Sequence, residues 1–118
     1  MPTGTLTRTL DATVPLPVGV TVPKVRWRIY MTNTTDSFTG YFYSVDDDLT
    51  TGVSTVGSDT VTGVTGHQWA DTGTLSETVT TSDVYKLRVS MKNNTTSGDC
   101  RLGFAEITYT QNKPAATL

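Results

Sequence analysis

The chain has 118 residues, a formal net charge of −2 and 17% charged residues, against about 25% in an ordinary soluble domain. That length makes one domain, residues 1–118, with a core of its own. The slightly acidic balance argues against long-range attraction to nucleic acid or an anionic membrane, and neither is expected as a partner.

Threonine makes up about one residue in five, well above its usual share. It is β-branched and favours strands, and its hydroxyl keeps an exposed sheet face wet without charge. With one cysteine, Cys100, no internal disulfide can form. Met1-Pro2-Thr3-Gly4 opens no basic stretch followed by an apolar run, so no signal peptide is expected, and no run is long enough to span a membrane.

From Thr5 onward, hydroxyl and apolar residues alternate. Leu6, Leu10, Ala12, Val14, Leu16, Val18, Val20 and Val22 share one parity, and Pro15, Pro17 and Pro23 fall on the other. Proline cannot donate to a strand ladder, so residues 1–23 are expected to be an edge strand or an extended arm. If an arm, its row Val14, Leu16, Val18, Val20 and Val22 is the candidate interface with a neighbouring subunit.

Val25 to Val45 carries the most aromatic and branched apolar surface. Val25, Trp27, Ile29 and Met31 alternate with Arg26, Arg28, Tyr30 and Thr32, the period of a strand with one buried face. Asn33 to Ser37 supplies turn chemistry, and Phe38 to Val45 returns as a second strand. The stretch is predicted to be a hairpin at the centre of the core.

Asp46-Asp47-Asp48 reads as an exposed turn. Between Thr50 and Val64 the valines are three, five and three apart, which predicts short strands with bulges or turns near Gly52, Gly57 and Gly63. Gly66 to Gly73 places Trp69 in a loop-like setting, where it is either folded over one end of the core or exposed at an interface. Thr74 to Thr80 can form a strand. Val84 to Asn93 is predicted as a second strong strand, with Tyr85, Leu87, Val89 and Met91 facing in. Cys100 to Thr110 closes the domain, and residues 112–118 read as a tail.

Helical periodicity is missing throughout. About eight short strands with regular turns predict an all-β fold, an antiparallel β-sandwich of jelly-roll or immunoglobulin-like type with an extended N-terminal arm. One echo stands out. Arg28-Ile29-Tyr30-Met31-Thr32-Asn33 matches Arg88-Val89-Ser90-Met91-Lys92-Asn93, sixty positions on. Duplication and convergence of two core strands both account for it.

The chemistry of the side chains points away from catalysis. His67 is the only histidine, no G-x-S-x-G elbow is present, and one His with one Cys cannot supply a usual zinc set. Cys100 alternates with Leu102 and Phe104, as a small core residue would. Glu77 and Glu106 are the main strand-borne acids for a paired-carboxylate hydrolase. Asp46 and Asp48 are weak calcium candidates, since their turn lacks the glycine and distal glutamate of an EF-hand loop. No metal or other cofactor is expected. Arg26, Arg28 and Tyr30 form a small basic and aromatic stripe of the kind that single strands of nucleic acid use, although such a stripe usually just solubilises a sheet. Trp69 and the tyrosines could offer a sugar-stacking platform.

The stretch TGVSTVGSDTVTGVTG, the proline-bearing VPLPVGVTV and the closing YKLRVSMKNNTTSGDCRLGFAEITYT together resemble the small all-β virion proteins of tailed bacteriophages. These are head decoration (cement) proteins and fibre or tail domains. The resemblance implies a non-enzymatic protein made in the host cytoplasm and located in the virion. It also implies binding to the major capsid protein or other virion proteins, and homo-oligomers with a trimer favoured. The alternative it implies is a carbohydrate- or receptor-binding module of a fibre or tail. The site residues expected on this basis are Val14, Leu16, Val18, Val20, Val22 and Trp69 at the interface. Val25, Trp27, Ile29, Met31, Leu87, Val89 and Met91 are expected in the core.

Overall fold

The alternating rows of the sequence become strands with two unlike faces. The computed structural model describes residues 6–46, 53–80, 83–93 and 100–110. They form β1 (Leu6–Val14), β2 (Thr21–Met31), β3 (Ser37–Asp46), β4 (Val53–Thr62), β5 (Gly66–Asp71), β6 (Glu77–Thr78), β7 (Asp83–Asn93) and β8 (Cys100–Thr110). All pairings are antiparallel. The first sheet runs β1-β7-β3-β4. In the second sheet β2 is the hub, pairing with β8 over most of its length, with β5 from Arg26 to Met31 and with β6 at Thr21 and Val22.

The two sheets face each other across a core built mainly from three strands. Val22, Val25, Trp27, Ile29 and Met31 of β2 are buried, with Phe38 and Phe42 of β3 and Tyr85 and Val89 of β7. Leu87 and Met91 pack against this cluster half-buried. Each large apolar side chain removed from water contributes roughly 1.5–3 kcal/mol, so this one seam dominates the stability of the chain. Trp27 lies flat on the backbone of the opposing sheet. A Cβ at Gly40 would sit 2.5 Å from Trp27 Cδ2 and Cε3, so the close approach of the sheets here requires glycine. Phe42 stacks on Tyr85 with ring centroids 5.5 Å apart.

The stretch from Val25 to Val45 does form two strands, but they are not a hairpin. β2 and β3 belong to different sheets, so residues 32–36 form a corner that carries the chain across the sandwich. Tight two-residue hairpins need positive φ at the turn and hence Gly or Asn-Gly, and Asn33-Thr34-Thr35-Asp36 has no glycine. Instead Asn33 Oδ1 accepts from the Thr35 amide at 2.9 Å, and Asp36 N–H donates to the Asn33 carbonyl at 3.2 Å. The corner is tied to the end of β4, where Gly63 N–H donates to the Thr34 carbonyl and Thr62 Oγ1 to the Asp36 carbonyl. The closing pair behaves alike, for β7 and β8 also lie in different sheets. Among consecutive described strands only β3 and β4 are partners.

The internal echo now has a place in the topology. Arg28–Asn33 ends β2 and Arg88–Asn93 ends β7, so the matched segments are on the inner strands of opposite sheets. β2 crosses to β3, and β7 crosses to β8. β3 then pairs with β7, and β8 pairs with β2. Exchanging β2 with β7 and β3 with β8 leaves these pairings unchanged.

Other expectations change in detail. Residues 53–62 are one strand rather than several. Its broken valine spacing comes from a bulge, where Phe42 opposes Gly57 and Tyr43 opposes Thr55, leaving Val56 extra. Gly66–Asp71 is a strand paired with β2 rather than a loop, so Trp69 stands on a sheet. Thr74 to Thr80 contributes only the two residues of β6. Residues 112–118 lie outside the described residues.

Residues 1–23 divide. β1 is an edge strand of the first sheet, paired with β7 from Leu6↔Asn93 to Val14↔Tyr85. The chain then turns at Val18-Gly19, where Gly19 has φ +90°, and enters β2 at Thr21. Pro23 is tolerated inside β2 because the register with β8 shifts between Thr21 and Lys24, so no ladder position asks for its missing N–H. Its carbonyl accepts from Leu75 N–H at 2.7 Å.

Tyr85 links the sheets through a polar contact. Its ring is buried, and its hydroxyl donates to Glu77 Oε2 at 2.6 Å. Burial, reinforced by the adjacent Glu77 carboxylate, pushes the phenol well above its ordinary value near 10. The unfolded chain therefore loses this proton at lower pH than the folded chain. The stabilisation is complete below pH 10 and drains away as pH rises above it. Between pH 9 and 11.5 the wild type is expected to lose stability more steeply than Tyr85→Phe, as measured by urea melts at each pH. Parallel curves would refute the linkage.

Candidate functional site: a cationic and aromatic sheet face

The outer face of the second sheet collects side chains that the sequence scatters over eighty residues. β2 turns Lys24, Arg26, Arg28 and Tyr30 outward, because Val25, Trp27, Ile29 and Met31 take the inner positions. Register then brings His67, Trp69 and Asp71 from β5 beside Tyr30, Arg28 and Arg26. On the other edge, Arg101, Phe104 and Glu106 of β8 stand opposite Tyr30, Arg28 and Arg26. The register shift between Arg28 and Ile29 absorbs Gly103.

Trp69 and Phe104 form a ridge across the middle of this face, edge to face, with centroids 5.6 Å apart at 81°. The Arg26 guanidinium lies 4.0 Å from the Trp69 centroid and that of Arg28 5.1 Å. Such cation–π contacts contribute about 0.5–1 kcal/mol at exposed sites. Arg26 Nε also donates to Glu106 Oε1 at 2.8 Å, and Lys24 Nζ lies 3.5 Å from Asp71 Oδ2.

Depressions lie on either side of the ridge. The larger, about 780 Å³, is lined by Arg28, Tyr30, Thr32, His67, Arg101 and Gly103. The smaller, about 330 Å³, is lined by Lys24, Arg26, Glu106 and Thr108. In the larger one His67 rests against Tyr30 at 4.9 Å, and the Arg101 guanidinium is 5.9 Å above the same ring. Among the described residues, this face carries the cations Lys24, Arg26, Arg28 and Arg101 and the carboxylates Asp71 and Glu106.

The opposite outer face is different. Tyr41 and Tyr43 stack at 5.3 Å, and Arg88 sits 5.3 Å over Tyr43. Arg88 also holds Asp11 through two hydrogen bonds of 2.6 and 3.0 Å, which keep the Asp11 carboxyl below the usual carboxylate range and fasten β1 to β7.

The structure separates the expected interface row. Val20 and Val22 are buried within this chain's own core and are not an exposed arm surface. The turn at Val18-Gly19 causes this, since it breaks the continuous parity seen from Val14 to Val22. Leu16 packs partly against the core, Val14 is half-buried, and Val18 is 60% exposed. Trp69 is half-buried in the ridge, and the larger depression beside it is lined by Tyr30 rather than by the indole. Glu77 turns toward Tyr85 while Glu106 stands on the outer face beside Arg26, so this pair does not face itself across a cleft. Cys100 is half-buried against the core. Asp48 and the side chain of Asp46 lie outside the described residues. Among the described residues, no three His, Cys, Asp or Glu side chains are grouped to hold a metal ion, and no helix is long and apolar enough to cross a membrane.

The cationic stripe of β2 was visible in the sequence as Arg26, Arg28 and Tyr30. Its partners His67, Trp69, Arg101 and Phe104 were not, because only strand order places them beside it. No family model matches the chain, and neither a curated protein nor a solved structure matches it.

Proposed function

We propose that this protein is a non-enzymatic structural component of a virion, a capsid decoration protein of the tailed-phage kind, which docks through the β1 side of its sandwich. The observation that supports this reading is an uncovered strand. Arg8, Leu10, Ala12 and Val14 share the inward face with Met91, Val89, Leu87 and Tyr85 of β7, yet Leu10 is 56% exposed. The second sheet is too narrow to cover it. β5 lies over β3 and β4, β8 lies over β7, and β1 overhangs. Tyr109 on β8, 47% exposed, and Val18, 60% exposed, are further large apolar side chains left in solvent. Among the described residues β1 pairs with β7 alone, and an edge strand presents backbone donors and acceptors that can pair with another chain. An apolar overhang on an edge strand suits adhesion between subunits of a shell, with copies of this chain forming a trimer and the major capsid protein as the neighbour.

Leu10→Asp tests the reading. An exposed site tolerates the change to within about 0.5 kcal/mol, so thermal melts should match wild type. Analytical ultracentrifugation should show oligomers for wild type and monomers for the variant. Capsid shells lacking their decoration protein should retain wild type and release the variant. A wild type that is monomeric and ignores such shells would sink the proposal.

A further inference from the structure

β4 lies at the opposite edge of the first sheet from β1, away from the docking just described, and the core beside it ends in polar side chains. The inward row of β3 runs Phe38, Gly40, Phe42 and then Ser44, which stands between Tyr85 of β7 and Ser54 of β4. Glu77 of β6 reaches the same place, where its Oε2 accepts from the buried Tyr85 hydroxyl at 2.6 Å. Polar groups at inward positions break the pattern that builds the rest of the sandwich, and functional sites are where such breaks are expected. We infer that the pocket lined by these groups, about 380 Å³, is a binding site for a neutral sugar, taken as a single pyranose ring.

The lining suits a polyhydroxylated ring. Ser44, Ser54, Thr55, Thr74 and Ser76 line the pocket, and each hydroxyl can both donate and accept. A sugar carries the same double capacity on successive carbons, so it matches these groups better than a ligand that only donates or only accepts. The Tyr85 bond fixes the Glu77 carboxylate in place. A carboxylate can take two adjacent sugar hydroxyls through charge-assisted hydrogen bonds. Val56 and Leu75 complete the lining and give the C–H face of the ring an apolar wall. The volume is at the small end for ligand sites, which favours one ring over a longer chain.

Backbone bonds set that wall before any ligand arrives. Leu75 N–H donates to the Pro23 carbonyl at 2.7 Å, and Thr72 N–H to the Val25 carbonyl at 2.9 Å. Val25 N–H donates in return to Thr72 Oγ1 at 3.1 Å. On the β4 side the bulge carries Val56 as its extra residue, and Gly57 next to it lets Leu75 come close. A Cβ at Gly57 would sit 2.9 Å from Leu75 Cδ2. A lining already in place lowers the entropic cost of binding, and bulges that re-aim side chains are over-represented next to active sites.

The experiment uses the full chain, labelled with nitrogen-15, and follows its amide signals by NMR. The probes are D-glucose, D-galactose, D-mannose and N-acetyl-D-glucosamine, with calcium chloride and methylammonium chloride as tests of a cation in the same pocket. At least one sugar is expected to shift the amides of Ser44, Ser54, Ser76 and Glu77 saturably, with a millimolar Kd. Ser44→Ala/Ser54→Ala should weaken that binding by roughly tenfold, with a thermal melt at or above that of wild type. Glu77→Gln, which keeps the side-chain shape, should weaken it by about fivefold. Leu10→Asp should bind the sugar as wild type does, so loss of assembly and loss of this site are separable. Failure of all four sugars, undiminished binding by the double serine variant, or a saturable response of the same amides to calcium or methylammonium at lower concentration than to any sugar would each overturn the inference.

Discussion

Gly40→Ala is expected to destabilise the fold by about 3 kcal/mol, the upper part of the usual range for overpacking a filled core. The added methyl would fall 2.5 Å from two atoms of the Trp27 ring and 2.7 Å from a third. None of these is the far end of a flexible chain. Trp27 is fully buried, held between Val25 and Ile29 on its own strand and against Phe38 at 6.4 Å. Either the ring leaves its place or the two sheets part, and both disturb the largest side chain in the core. For a domain of this size the melting temperature should fall by on the order of 10 °C. The matched control is Gly103→Ala, whose methyl would meet the Arg28 carbonyl at 3.3 Å, a lesser crowding. Trp27→Phe combined with Gly40→Ala should be more stable than the sum of the single effects, because the smaller ring makes room. It also removes Trp27 Nε1, a buried donor without a partner among the described residues. Coupling of about 0.5–3 kcal/mol is expected from a double-mutant cycle by chemical denaturation, and strict additivity would show that the two residues do not compete for one space.

Val22→Asp is the second large effect. Val22 is fully buried and lies at the junction of β2, β6 and β8. An uncompensated buried charge costs roughly 3–5 kcal/mol, a large share of the roughly 5–15 kcal/mol that holds a typical domain together. The variant should be substantially unfolded, or strongly destabilised, by circular dichroism at 25 °C. Val18→Asp, four residues earlier and 60% exposed, should melt within about 0.5 kcal/mol of wild type. The pair separates the two roles that one parity row suggested. Were Val22→Asp to fold normally yet fail to assemble, residues 20–22 would belong to an intersubunit arm after all.

The corner at residues 32–36 shows where local pattern stops being informative. Alternation identified Val25, Trp27, Ile29 and Met31 as one face, and a strand has no other way to sort such residues. But alternation is silent about which strand comes next to which. Asn33-Thr34-Thr35-Asp36-Ser37 satisfies the general chemistry of a turn, and a turn between two strands can return within a sheet or arch over to the facing one. The missing glycine was the available hint, since the tight returning turns require positive φ. The same limit applies to Trp69. Gly66 and Gly73 framed it like a loop, and both have positive φ, yet the six residues from Gly66 to Asp71 are held straight by pairing with β2, a nonlocal contact that propensity does not report.

The residues alone therefore establish an all-β fold and its inward rows on β2 and β7, and they mark a break in the period between Thr50 and Val64 without deciding between a bulge and turns, because side-chain period and backbone sterics act within a few positions. The burial of Val20 and Val22, the overhang of β1, and the meeting of Arg28 with Trp69 and Phe104 arise from pairing between distant segments, from Arg28↔Trp69 to Thr21↔Thr110. Those contacts are fixed by how two sheets of unequal width close over one core, a balance that no single segment carries.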